Sequence, residues 1–384
     1  MSGLVGEGVA SSFNQSSGVN RSDGDGSAPC GRVDTSAHLF FMLVCSLVFL
    51  VGLVLNGFTL KVYFCRAPQQ VSSSVTVYLK NLAAADFLLS LCLPLRIANY
   101  ASSSVPVRQV YCHFGASAFY LNMYASILFM GYIAANRYLK IVHPLGTHIL
   151  QRVRAAYIIS TVTWVSLLAS TGVYVTLSLV TQRPLTSVPG TVSCDALHSA
   201  ELSLLYKIIH SCSATVFFSV LVSLVFFYSS ISRRLTLAQR KQPGRASSPG
   251  SKKLAKSRRN MLVLVTVFCV CFVPYHLVRL PYTFLRGRCA WRQAFFYLKE
   301  LTVMASALNV CLDPLIYFIF CKAFRAQLSL RRVFSATQAA TQAATQGATQ
   351  AAGEERRTSE GRLSVAKIER KTSFGVAARR SSVL

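Results

Sequence analysis

Seven apolar runs divide the chain. The first extends from about His38 to Cys65, and six more follow near 75–100, 110–141, 153–180, 200–232, 254–285 and 293–320. Each reaches the roughly 20 residues that a helix needs to cross hydrocarbon. The pattern predicts an all-α fold, a seven-transmembrane helix bundle over residues 37–321. Residues 1–36 are Gly/Ser-rich and carry two glycosylation sequons, at Asn14 and Asn20, which suits an extracellular N-terminus. After the last span, 322–334 alternates basic and apolar residues at helical spacing, predicting a short amphipathic helix on the inner leaflet. Residues 335–384 open with a repeated Ala-Thr-Gln tract, too small-sided to form a core and expected to be a disordered cytoplasmic tail.

Composition supports the membrane reading. With 52% apolar and 14% charged residues and a mean hydropathy of +0.43, this is neither a disordered chain nor an ordinary soluble domain. A net charge of +27 would elsewhere suggest nucleic acid, but the cations gather in loops and tail, and no nucleic-acid partner is expected. The connection from Arg233 to Arg259 holds ten Lys/Arg and no acid, which marks the cytosolic face. The N-terminus is then outside, the C-terminus is cytoplasmic, and the protein crosses the plasma membrane repeatedly. No basic stretch precedes an early apolar core, so the first span is expected to act as its own insertion signal rather than a cleaved peptide. Of twelve cysteines, Cys30, Cys112, Cys194 and Cys289 fall in or beside polar connections, where disulfides can form in an oxidising space.

A seven-helix bundle can be a receptor, a transporter or a membrane enzyme. A transporter should show internal repeats and matching broken spans, and neither is visible. Gly-x-Ser-x-Gly and His-Glu-x-x-His are missing, so no enzymatic activity is expected. The spans instead keep particular polar residues. Asp86 and Asp313 lie at membrane depth with Asn56, Ser126 and Asn309. They point to cation or proton binding if the helices bring them together, or else to separately hydrogen-bonded side chains. Asn136-Arg137-Tyr138 closes the third span, and Asp313-Pro314-Leu-Ile-Tyr317 sets a helix-bending proline beside a carboxylate.

At the other end, the stretch from Cys271 to Tyr282 places His276 and Arg279 just beyond Pro274. Arg279 could merely snorkel to the interface. However, Arg96, His276, Arg279 and Lys299 all lie in the outer halves of their spans, with Glu300 as the one obvious counter-carboxylate. Converging cations suit an anionic ligand, because a guanidinium grips phosphate oxygens in a bidentate way. Tyr120, Tyr124, Tyr275 and Tyr282 add faces and hydroxyls for a base or sugar. The alternative is a salt bridge from Glu300 to Lys299 or Arg279 that closes an empty vestibule.

Together, Asn56, Leu82-Ala-Ala-Ala-Asp86, Asn136-Arg137-Tyr138, Trp164, Phe272-Val-Pro274 and Asp313-Pro-Leu-Ile-Tyr317 resemble rhodopsin-like G-protein-coupled receptors over residues 38–334. That resemblance implies a Cys112–Cys194 disulfide and an allosteric sodium pocket of Asp86, Ser126, Asn309 and Asp313, with no other cofactor or metal. It also implies activation through Arg137, Tyr228, Pro274 and Tyr317, with a heterotrimeric G protein, arrestin and the lipid bilayer as partners. Two departures stand out: Asn136 replaces the usual acid, and Val220 stands near the usual fifth-span proline.

The Cys271–Tyr282 stretch, with Phe119-Tyr120-Leu-Asn-Met-Tyr124, Phe296-Tyr-Leu-Lys299-Glu300 and Asn309-Val-Cys-Leu-Asp313, is most similar to the purinergic nucleotide receptors, within them the ADP and UDP-sugar subgroup. This implies a nucleotide or nucleotide sugar held by Arg96, Tyr120, Tyr124, His276, Arg279, Tyr282 and Lys299. It further implies a second disulfide, Cys30 to Cys289, and an inhibitory-class G protein. Val105-Pro106-Val107-Arg108 stands where the subgroup usually has tryptophan. The related lysophospholipid receptors share much of this set, so a lysophospholipid is the alternative. In the tail, Ser359, Ser373 and Ser382 each follow two basic residues and are predicted phosphorylation sites. Ser382-Val383-Leu384 fits a PDZ-type carboxylate groove.

Overall fold

Each apolar run is helical, five of them as one unbroken helix, because hydrocarbon leaves a backbone no partner but itself. The computed structural model describes residues 36–65, 73–102, 104–143, 148–181, 194, 198–241, 249–285 and 292–320. The first span is His38–Cys65, the second Ser74–Ala101 and the fourth Val153–Val180. The fifth, Ala200–Lys241, and the sixth, Pro249–Leu285, both continue well past their apolar windows. At 1.5 Å per residue the fifth is about 63 Å long, twice the ~30 Å of hydrocarbon. Its surplus turns carry Arg233, Arg234 and Arg240, all exposed. Hydropathy does not predict this extension, since the apolar pattern stops where the membrane does while the backbone does not.

The third span starts earlier than its apolar run, with a short helix Val105–Val110, a π-turn Tyr111–Gly115 and then Ala116–Val142. Pro106 fits the first turn of that short helix, where no amide needs a partner. The π-turn closes with Ala116 N–H donating to the Tyr111 carbonyl, and glycine at 115 permits it, since a Cβ there would lie 2.9 Å from the Tyr111 ring. The seventh span is broken at Leu308 into Arg292–Ala307 and Asn309–Phe320. The Leu308 amide is shared between the Met304 and Ala305 carbonyls, and Cys311 N–H reaches back only three residues. This tightened turn swings Asn309 inward.

One core runs through the bundle, built from Leu82 and Leu89, Met123, Ile127 and Phe129, Phe217 and Leu224, Phe268 and Phe272, and Val310, Ile316 and Tyr317. Leu39, Leu43, Leu47, Leu50 and Val54 of the first span point outward instead, at helical spacing, as a lipid-facing stripe should. Gly52 is where the first and seventh spans meet: an added Cβ would sit 2.6 Å from Val310. Trp164 donates to the Asn81 side chain across the second and fourth spans, 3.0 Å away. Cys112, in the π-turn, is disulfide-bonded to Cys194, with Cα atoms 5.4 Å apart. This defines a disulfide end of the bundle, opposite the basic end. Cys30, Cys289, Asn14, Asn20, the 322–334 segment and the tail residues Ser359, Ser373 and Ser382 lie outside the described residues.

Candidate ligand-binding site

Toward the disulfide end the predicted cations sort into two neighbouring groups joined by one ring. In the first, each nitrogen of the buried Arg96 guanidinium is engaged. Nε donates to Tyr100 and one terminal nitrogen to Tyr111, both at 3.0 Å. The other forms an ion pair with Glu300 Oε2. The Tyr100 hydroxyl donates to the same oxygen. Glu300 Oε1 faces Lys299 Nζ at 3.0 Å. The rings of Tyr100, Tyr111 and Phe119 enclose the guanidinium within 6.0 Å.

In the second group, Arg279 lies over Tyr120, Tyr206 and Tyr282 at 5.2–5.5 Å and donates to His210 Nε2 at 3.2 Å. Since a guanidinium has no acceptor, His210 must present a lone pair there and is neutral. Tyr282 is the joining ring, because Lys299 Nζ sits 5.4 Å from its centroid on this side of the bundle as well. Three aromatic faces hold Arg279 in a charge-compatible, water-poor setting. Tyr206 and His210, one turn apart on the fifth span, and Tyr100 and Tyr111 do not emerge from the sequence motifs. A Tyr-x-x-x-His pair on one helical face is the visible signal.

His276 points the other way. Its Nδ1 bonds the Phe272 carbonyl at 2.8 Å and therefore carries the proton, leaving Nε2 to accept from Tyr124 at 3.1 Å. The imidazole also stacks flat on Phe217, centroids 3.7 Å apart. Both nitrogens are occupied inside the core, so in this arrangement His276 and Tyr124 form packing beneath the cations, reached from Tyr120 through Tyr275.

Deeper still, Asp86, Ser126, Asn309, Asp313 and Tyr317 do meet. Asp86 accepts from Ser126 at 2.9 Å and Asn309 at 3.1 Å through Oδ1, and from Tyr317 at 2.6 Å through Oδ2. Asp313 is equally buried and electrostatically tied to Asp86, yet neither of its oxygens has a hydrogen-bond donor among the described residues. A buried carboxylate without donors calls for a cation or a proton. The oxygen-only set of Asp86, Ser126, Asn309 and Asp313 fits a hard ion such as sodium.

At the basic end, Asn136 donates to Ser74 at 2.8 Å and to the Leu150 carbonyl at 2.6 Å, tying the third span to the second and to the turn before the fourth. Arg137 donates to the Phe320 carbonyl at 3.2 Å and lies 4.7 Å from that ring. Tyr317 donates to Asp86, and Tyr228 packs at the edge of the core. Val220 fills the space above Gly131, 3.1 Å from a built Cβ.

Residues 55–317 match the family described as 7 transmembrane receptor (rhodopsin family). Among curated proteins, purinoceptor 14 of Bos taurus is 36% identical over 79% of this chain and 88% of its own length. Purinoceptor 13 of Homo sapiens is 31% identical over 81% and 85%. A platelet-activating factor receptor from Rattus norvegicus is 29% identical over 78% and 87%.

Proposed function

Since this chain belongs to the rhodopsin family of seven-transmembrane receptors, a non-enzymatic class of multi-pass plasma-membrane proteins that signal through G proteins, we propose that its ligand is an extracellular nucleotide or nucleotide sugar. The observation that carries this reading is the pair Arg279 and Lys299, from the sixth and seventh spans, sharing one ring, Tyr282. A diphosphate lying across that ring would meet both cations, and Tyr120 and Tyr206 would offer faces to a base. In this reading the disulfide end is extracellular, the basic end cytosolic, and the G protein of the inhibitory class.

Pro274 lies inside the sixth span, between Arg279 and the exposed Lys256, Arg258 and Arg259, where it removes a backbone hydrogen bond and gives the helix a place to bend. An anion that draws Arg279 toward Lys299 biases the cytosolic arm if it binds the two arrangements unequally. Sodium between Asp86 and Asp313 would favour the arrangement that keeps this pocket closed. Arrestin, basophilic kinases at Ser359, Ser373 and Ser382, and a PDZ-type partner at the C-terminus complete the proposal, with phosphate on Ser382 blocking that last docking by charge and bulk.

Guanine-nucleotide exchange in membranes tests the ligand. Nucleotide-dependent exchange should be lost in Arg279→Ala and Lys299→Ala, and unchanged potency in both would refute the assignment. The likeness to a platelet-activating factor receptor supports a second reading, a lysophospholipid with an anionic head. Exchange driven by lysophospholipids and by no nucleotide would favour it.

A further inference from the structure

Glu300 pairs with two of these cations, Arg96 and Lys299, and its two oxygens are treated differently. Oε2 is locked from the second span by Arg96 and Tyr100, both buried, while Oε1 faces Lys299, whose side chain keeps 17% exposure. Lys299 in turn shares Tyr282 with Arg279. An anion arriving across Tyr282 must therefore compete with Oε1 for the Lys299 ammonium, and it cannot expel Glu300, because Oε2 stays clamped.

We propose that Glu300 is a tethered counter-anion that sets the charge selectivity of the ligand site, disfavouring each additional negative charge a ligand brings. The inference rests on the reading that Arg279 and Lys299 receive the ligand's anionic group. Glu300 sets one fixed negative charge between Arg96 and Lys299, and removing that charge lifts its repulsion from the ligand's anionic group. A fixed unit charge one residue's reach away, in a partly hydrated site, changes the affinity of each added ligand charge by on the order of fivefold. A wild-type site thus accepts a monophosphate or diphosphate with a small handicap and a triphosphate with a large one. Arg96 becomes a positioning residue that anchors the carboxylate rather than a contact for the ligand.

The test is binding of adenosine and uridine mono-, di- and triphosphates to the full chain in lipid nanodiscs, wild type against Glu300→Gln. The glutamine oxygen can still accept from Arg96 and Tyr100, so the clamp is kept while the charge is removed. Affinity should rise for every nucleotide and rise further by about fivefold for each added charge. Glu300→Asp, which withdraws the carboxylate from Lys299, should give the same trend at smaller size and covers the case in which Glu300→Gln does not fold.

An unchanged triphosphate-to-monophosphate ratio overturns the proposal. So does a uniform loss of affinity, which would make Glu300 a direct ligand contact. Arg279→Ala separates the role of Glu300 from the site itself. If nucleotides bind and Arg279→Ala abolishes binding, the site stands and only the role of Glu300 is at stake. If Arg279→Ala binds as wild type, or if neither receptor binds nucleotides, the site assignment fails and takes this proposal with it.

Discussion

Replacing Glu300 by alanine should destabilise the fold more than replacing its partner Arg96. In Glu300→Ala the Arg96 guanidinium, only 5% exposed, loses its one carboxylate and keeps the phenol oxygens of Tyr100 and Tyr111. A buried charge stripped of its counter-ion costs about 3–5 kcal/mol. In Arg96→Ala the carboxylate still has Lys299 at 3.0 Å and the Tyr100 hydroxyl, so its charge remains paired. That loss is closer to the roughly 1.5–3 kcal/mol of a charged hydrogen bond, plus some packing lost between three rings. The double variant leaves no orphan, so it should cost less than the sum by about 2 kcal/mol. Reversible unfolding in mixed micelles, followed for wild type, both single variants and the double variant, measures all three quantities. Equal single effects with an additive double variant would mean that the buried ion pair is not what orders this end of the bundle.

Gly52→Ala should cost about 1–3 kcal/mol by overpacking, because the new methyl carbon falls 2.6 Å from Val310 and 2.7 Å from Ser90 Oγ. Val310→Ala in the same chain should recover much of that in the same unfolding assay. Replacing choline chloride by sodium chloride should stabilise the wild type by about 1.4 kcal/mol at ten times the ion's dissociation constant. Asp313→Asn should abolish that increment, and a sodium effect surviving in the variant would place the ion elsewhere. Asn136→Asp removes the donor to the Leu150 carbonyl and sets a carboxylate beside Arg137. Ligand-free guanine-nucleotide exchange should fall, whereas an increase would mean that the tie to Ser74 and Leu150 restrains activation more than a new ion pair would.

The seven spans were legible because a membrane imposes one requirement, apolar length, on every helix at once, and His38–Cys65 and Val153–Val180 coincide with their apolar runs. Features set by the backbone alone were not legible. The Tyr111–Gly115 π-turn and the break at Leu308 depend on which carbonyl an amide selects, and neither changes hydropathy. Yet these two irregularities do much of the positioning. The π-turn brings Tyr111 to Arg96 while holding Cys112 against Cys194, and the tightened turn delivers Asn309 to Asp86.

The same limit applies to the site. Counting cations at one depth identifies Arg96, Arg279 and Lys299 as neighbours, but charge alone cannot say which of them a carboxylate will occupy. That depends on rotamers fixed by neighbouring rings. Arg96 is boxed in by Tyr100, Tyr111 and Phe119 and so faces Glu300, whereas Arg279 is walled by Tyr120, Tyr206 and Tyr282 and so faces His210. His276 shows the converse. A histidine two residues beyond Pro274 looks available in the sequence, yet its Nδ1 proton goes to the carbonyl of Phe272 one turn back. Its ring is held flat against Phe217 of the fifth span, which makes it a structural link between the fifth and sixth helices. A pull on Arg279 therefore acts on a helix already fastened at His276, and the motion it can transmit to Lys256–Arg259 must pass through Pro274 immediately beneath, where a backbone hydrogen bond is missing.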